Sequence, residues 1–189
     1  MERISETRFS SDETVNAALD RYLDENGFTH AAYEEAWTHA SFLGVPVAVP
    51  NTRLHKQGIR LHDLHHVATG FGTDLVGEGE ISAWELGAGL RGVGLYVGAI
   101  VCTGALVGFV AAPQRIVRAF RLARASKASS LWSPLAAGEP GFSRYDALRG
   151  LTVGELRRLL ALPAEGLAEG ERRLHNLAPL APASAVPSR

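Results

Sequence analysis

The chain has 189 residues, 46% apolar and 21% charged, which describes one folded domain with a sizeable core and excludes a disordered protein. Its formal net charge is −1 at pH 7, so no global field draws it to nucleic acid; its one cysteine, Cys102, excludes a disulfide framework and a cysteine zinc cluster. Aromatic residues make up only 7%, and an apolar mass carried by Ala, Leu and Gly favours helices over a β-sandwich.

The N-terminal "MERISETRFSSDE" lacks the apolar core of a secretory signal and is too acidic for a transit peptide, so a reducing cytoplasm is the expected compartment. Ser10 and Glu13 have capping-box spacing, and Val15, Ala18, Leu19, Tyr22 and Leu23 then recur at the helical period until Gly27. A second helical pattern covers residues 30–42 and stops at Gly44, followed by the proline-broken connector "VPVAVPN". A third helix is expected over residues 52–68, a glycine turn at "TGFGT", and a fourth helix from near Gly77 carrying Ile81, Trp84 and Ala88. Residues 92–114 form an uncharged apolar run that Pro113 should break, and "RIVRAFRLARASK" follows. After a loop over residues 128–142, Thr152 and Glu155 suggest another capping box before "LRRLLAL". The Ala/Pro/Ser-rich tail, residues 177–189, is expected to be disordered. No strand alternation stands out. The expected fold is all-α: a single compact helical domain over residues 1–176.

Residues 61–80, "LHDLHHVATGFGTDLVGEGE", concentrate the chemistry. At about 100° per residue, His62, His66 and Asp63 fall within one helical arc of about 100°. An i, i+4 histidine pair can grip one ion from a single helix face, and the same geometry also permits His62, His65 and His66. Glu78, beyond the turn, can face them from the next helix; Glu80 and Glu85 are its rivals, and Glu85 suits the orientation of a histidine ligand.

His62-Asp63-x-x-His66, eleven residues, then Glu78 resembles the HDxxH-x11-E motif of the coenzyme Q (ubiquinone) biosynthesis protein 4 family. The flanks "TGFGTDLVGE", "AWEL", "APQRI", the basic stretch from Arg121 to Lys127 and "VGELRRLL" are similar to that family's in order, over residues 27–162. The resemblance implies His62, Asp63, His66 and Glu78 as ligands of one metal ion, set between two adjacent helices beside an apolar channel for a prenyl tail. It also implies a reaction, the replacement of the ring carboxylate of a prenylated hydroxybenzoate by a hydroxyl. Two departures stand out: Arg60, in "KQGIRLHD", occupies a place where an acid is common, and "RYDALRG" replaces the family's usual C-terminal pattern.

Two imidazoles and two carboxylates suit zinc, iron or manganese. Glu85 and His65 are candidates for moving protons. The departures motivate an alternative, a tailoring enzyme of natural-product biosynthesis on the same fold; another is a non-catalytic lipid-binding scaffold that gathers quinone-biosynthesis enzymes. A phosphohydrolase of the HD type would need a further histidine, from His39, His55 or His175.

Twenty-three uncharged residues could span about 34 Å, enough for a bilayer. Gly94/Gly98 and Gly104/Gly108 have the spacing that lets helices approach closely. The expected reading is a buried helix pair; a sharper version, implied by the polyprenyl substrates of the family it resembles, is that the run lines an apolar channel. The chain has no acidic residue between positions 85 and 139, whereas its first 35 residues hold nine acids and three bases. Arg115, Arg118, Arg121, Arg124 and Lys127 recur every three residues there, as a solvated helix face or as a contact for anionic lipid heads. The expected partners are a hydrophobic aromatic substrate, the inner face of an anionic membrane, and a second copy or biosynthetic complex.

Overall fold

The computed structural model describes residues 9–42, 45–127, 130–132 and 145–168. The expected tail and nearly all of the 128–142 loop lie outside them. Within the described residues the fold is mostly helical, with seven α-helices, a 3-10 turn and one small sheet.

Helix α1 (Val15–Glu25) buries the apolar stripe read from the sequence: Val15, Ala18, Leu19, Tyr22 and Leu23. Its cap is Thr14, whose side chain accepts from the Ala17 N–H at 3.2 Å, rather than Ser10. The reason is tertiary. Backbone bonds from Val15 N to Leu151 O and from Val153 N to Glu13 O hold Thr14 extended against Thr152, so the helix cannot begin earlier.

The helix expected over residues 30–42 is absent. A 3-10 turn (His30–Glu34) leads into strand β1 (Trp37–Phe42), and the supposed connector is strand β2 (Val45–Pro50), paired antiparallel from Trp37↔Pro50 to Phe42↔Val45. Valines at 45, 47 and 49 supply the alternation, and prolines 46 and 50 forbid a helix; a two-stranded sheet tolerates them because each strand has a free edge.

Helix α2 (Arg53–Thr69) is capped by Thr52, α3 (Leu75–Ala88) by Asp74, and the chain then turns into α4 (Gly94–Ala111) and α5 (Pro113–Ala125). Pro113 separates the last two as expected, sitting at the first turn of α5 where its missing N–H costs nothing. Helices α6 (Tyr145–Arg149) and α7 (Val153–Leu159) close the fold. The capping box of Thr152 and Glu155 is formed. Arg157, 1% exposed, donates to the carbonyls of Phe9, Ala68 and Ala164, tying the N-terminal segment to the end of α2.

Helix α3 is the central element, buried on nearly every side and packed against both α4 and α5. Its small residues make this possible: a Cβ on Gly79 would lie 2.5 Å from the Gly108 Cα of α4, and one on Gly87 would lie 2.7 Å from the Phe120 carbonyl of α5. Of the expected close-approach glycines of α4, Gly104 and Gly108 serve contact with α3, while Gly94 faces Leu54 of α2 and Gly98 faces Leu90 and Val93. The apolar run is not the expected buried pair. Helix α4 buries only the stripe Val97, Val101, Ala105 and Gly108; Cys102 falls beside that stripe and is exposed.

Gly108→Ala is expected to force α3 and α4 apart at Gly79. The measurement is a urea titration, with a lower midpoint at unchanged slope and a loss of about 1–3 kcal/mol.

Candidate metal centre

Local sequence chemistry sets the positions of the side chains. Gly70 ends α2 in the left-handed conformation (φ 78°), donating to the His66 carbonyl. The Asp74 Oδ1 accepts from Val76 and Gly77 N–H at 2.9 and 2.7 Å, which starts α3 two residues before the glycine expected to open it. A Cβ on Gly77 would lie 2.2 Å from the Gly72 carbonyl, so only glycine lets the turn fold back on the helix. The result places Glu78, one turn into α3, opposite His62 and His66 of α2.

Ligand atoms of His62, His66 and Glu78 all lie within 4.8 Å of one another. The Nε2 atoms of the two histidines are 3.2 Å apart. Glu78 reaches them with one oxygen each, Oε2 at 3.3 Å from His62 and Oε1 at 3.5 Å from His66. The far sides of the rings fix their proton positions. His66 Nδ1 lies 3.0 Å from the Phe71 carbonyl, which can only accept, so the proton is on Nδ1 and Nε2 offers a lone pair. His62 Nδ1 donates to Glu85 Oε1 at 2.8 Å, turning its Nε2 to the same spot. This is the support a histidine needs to ligate through Nε2.

Glu85 is fully buried and also accepts from His65 Nδ1 at 2.7 Å. His65 Nε2 in turn accepts from the Leu131 N–H at 2.9 Å, which settles its tautomer. Burial lowers the pKa of His65 and keeps it neutral. His65 is therefore engaged at both nitrogens and faces away from the ligand cluster. Desolvation opposes the charged forms of Glu78 and Glu85, but the neighbouring imidazoles overcome it and hold both carboxyls below their ordinary range. Burial likewise opposes the charge on His62, and Glu85 and Glu78 outweigh it, so its pKa is raised.

Asp63 is not part of the three-residue group. Its Oδ1 accepts from the Tyr22 hydroxyl at 3.3 Å and its Oδ2 from the Tyr33 hydroxyl at 2.5 Å. Burial, then the Asp63 charge, raises both tyrosine pKa values, so the hydroxyls stay protonated and donate. Each carboxylate oxygen keeps a second lone pair. Tyr22 also stacks on His66, with centroids 5.4 Å apart, and Trp132 lies parallel to His62 at 6.4 Å. The two departures noted in the sequence meet beside this cluster. Arg60 pairs with Glu34, and its guanidinium lies over the rings of Tyr33 and Tyr145 at 5.5 and 5.8 Å.

Glu80, a rival ligand in the sequence, faces α5 and binds Arg115 through two hydrogen bonds. His55 is buried against Tyr96, outside the cluster. Sequence reasoning missed Tyr22, Tyr33, Leu131 and Trp132 as neighbours of the site. Tyr22 was visible only as a core position of α1, and nothing in the spacing pointed to Leu131 or Trp132.

Comparison of the chain with protein families, curated proteins and solved structures finds no match. The donor set itself is the test of fit. Two imidazole Nε2 atoms and a carboxylate converge, and each imidazole is held by an acceptor on its other nitrogen, which suits one divalent ion of the zinc, iron or manganese kind.

Glu85→Gln preserves shape and one acceptor oxygen but removes the charge behind His62. Metal affinity, measured by competition with a chromogenic chelator, is expected to fall about tenfold or more, with the helical circular dichroism unchanged.

Proposed function

We propose that this protein is a metal-dependent enzyme acting on a hydrophobic, prenylated aromatic acid. The observation that carries the reading is the pair of Nε2 atoms 3.2 Å apart, each backed by an acceptor on its Nδ1 and flanked by Glu78. His62, His66 and Glu78 hold the ion, and Asp63, the fourth ligand implied by the resemblance, has lone pairs left for it. When bound, the ion supplies a Lewis acid for a phenolate or carboxylate oxygen. The Glu78 side chain is 42% exposed, which supports access from that side. Buried Tyr22 and Trp132 pack on the two histidines, and Phe28, half exposed beside Tyr22, is the nearby aromatic side chain open to a substrate's tail.

The reaction in this reading converts the ring carboxylic acid and water into a phenol, CO2, two protons and two electrons. It therefore requires a two-electron oxidant, such as dioxygen, as co-substrate. Glu85 and His65 hold each other and His62 in place; their burial favours positioning over proton delivery to a substrate. Arg60 and Tyr145, joined beside Asp63, favour a second reading in which the same site takes a different aromatic acid, as a natural-product tailoring enzyme would.

The test is elemental analysis of protein prepared without chelator or nickel, wild type beside His66→Ala. Near-stoichiometric metal is expected in the wild type and loss of most of it in the variant. Loaded wild-type protein incubated aerobically with a prenylated 4-hydroxybenzoate should then yield the prenylated hydroquinone, in which a hydroxyl has replaced the carboxylate, by mass spectrometry. Metal retention in a folded His66→Ala variant would reject the ligand set. Stoichiometric metal without turnover of this acid would shift the substrate reading to another aromatic acid or to the scaffold role.

A further inference from the structure

We propose that the outer face of α4 and the adjoining arginine side of α5 form one docking surface for an anionic lipid bilayer, with α4 lying along the membrane. This goes beyond the metal reading and does not depend on it. Helix α4 has a mean hydropathy of 2.0, yet only 22% of its residues are buried. Leu95 (93% exposed), Leu106 (64%) and Val110 (79%) lie on it in the open, with Phe109. An open groove of about 420 Å³ continues this surface onto α5, lined by Leu106, Phe109, Val117, Phe120 and, at its edge, Arg121. Arg121 and Arg124 are exposed. Arg115, the first residue of the basic stripe, instead points to Glu80.

Three occupants compete for such a face. A second copy docked symmetrically would bring the same arginines together, and positions 86–138 contain no acid to meet them. A bilayer crossed by α4 would require the helix to leave α3, whose backbone it touches at Gly79, and α2, where Val97 of its buried stripe faces Gly58. A membrane surface satisfies both features: apolar side chains enter the acyl boundary, while Arg121 and Arg124 meet anionic headgroups. The placement also has a consequence for the site. Gly108, which precedes Phe109 and Val110, touches Gly79, which follows Glu78. The apolar end of α4 thus lies one residue from a proposed ligand.

The experiment is sedimentation of the full chain with vesicles of equimolar phosphatidylserine and phosphatidylcholine, beside pure phosphatidylcholine. Binding is expected to the anionic vesicles and to weaken as salt rises. Arg121→Gln with Arg124→Gln should reduce partitioning roughly 25-fold, about fivefold for each charge. Leu106→Asp with Phe109→Asp should abolish it while leaving the urea midpoint unchanged. Failure to bind anionic vesicles overturns the proposal; if light scattering then shows a dimer that Leu106→Asp with Phe109→Asp dissociates, the occupant is a second copy. Equal, salt-insensitive binding to both vesicles also overturns it, because the arginines would have no part. Should the variants unfold, the lipid and salt dependence of the unaltered chain decides alone.

Discussion

A carboxylate buried inside a helical domain is the constraint around which the candidate site is organised. Glu85 has no exposure, and an ionised group there is tolerable only if donors converge on it. Two imidazole N–H groups do so, from His62 and His65, both on the same oxygen; the other oxygen, Oε2, has no hydrogen-bond partner among the described residues. The arrangement couples distant parts of the chain. The backbone of Leu131 fixes His65, His65 and His62 share Glu85, and His62 presents its free nitrogen to His66 and Glu78. Exposed coordination and buried polarity are thus two ends of one hydrogen-bonded line.

The same helix that carries Glu85 reconciles this polar side with close packing on the other. Glycines at 79 and 87 let α4 and α5 approach its backbone directly, so α3 can be enclosed without large apolar side chains on those faces. The arrangement leaves α4 with one buried stripe and an apolar exterior. Surface of that kind is uncommon on a freely soluble monomer.

Much of the helical framework was legible because its signals are local. Thr52, Gly70, Pro113 and the Thr152/Glu155 pair act within a turn of their own positions, and the i, i+4 histidines share a face on any helix; the Asp74 cap is just as local, but the sequence reading places the helix start near Gly77 instead. The failures were tertiary. Residues 30–42 carry a helix-like composition, but 30–34 form a 3-10 turn and 37–42 pair as a strand with 45–50, a pairing that no local window shows. The apolar run said nothing about how much of it would be covered. Spacing kept two histidine triples open, and the structure selects His66 with His62 because His65 is pinned at both nitrogens. Asp63 turns towards Tyr22 and Tyr33, partners 41 and 30 residues away whose approach depends on the whole fold.

The bond from Leu131 to His65 spans 66 positions, and that from the Trp132 indole to the Gly58 carbonyl spans 74. His62, His66 and Glu78 leave the ribosome well ahead of the residues that settle His65. At ordinary elongation rates the delay is roughly 3–13 s. During that interval the two ligand helices exist without the clamp behind them, and a nascent chain holds its histidines in unresolved tautomers. Any cation taken by His62, His66 and Glu78 would therefore meet a fully supported site only once Leu131 has been made and has reached His65.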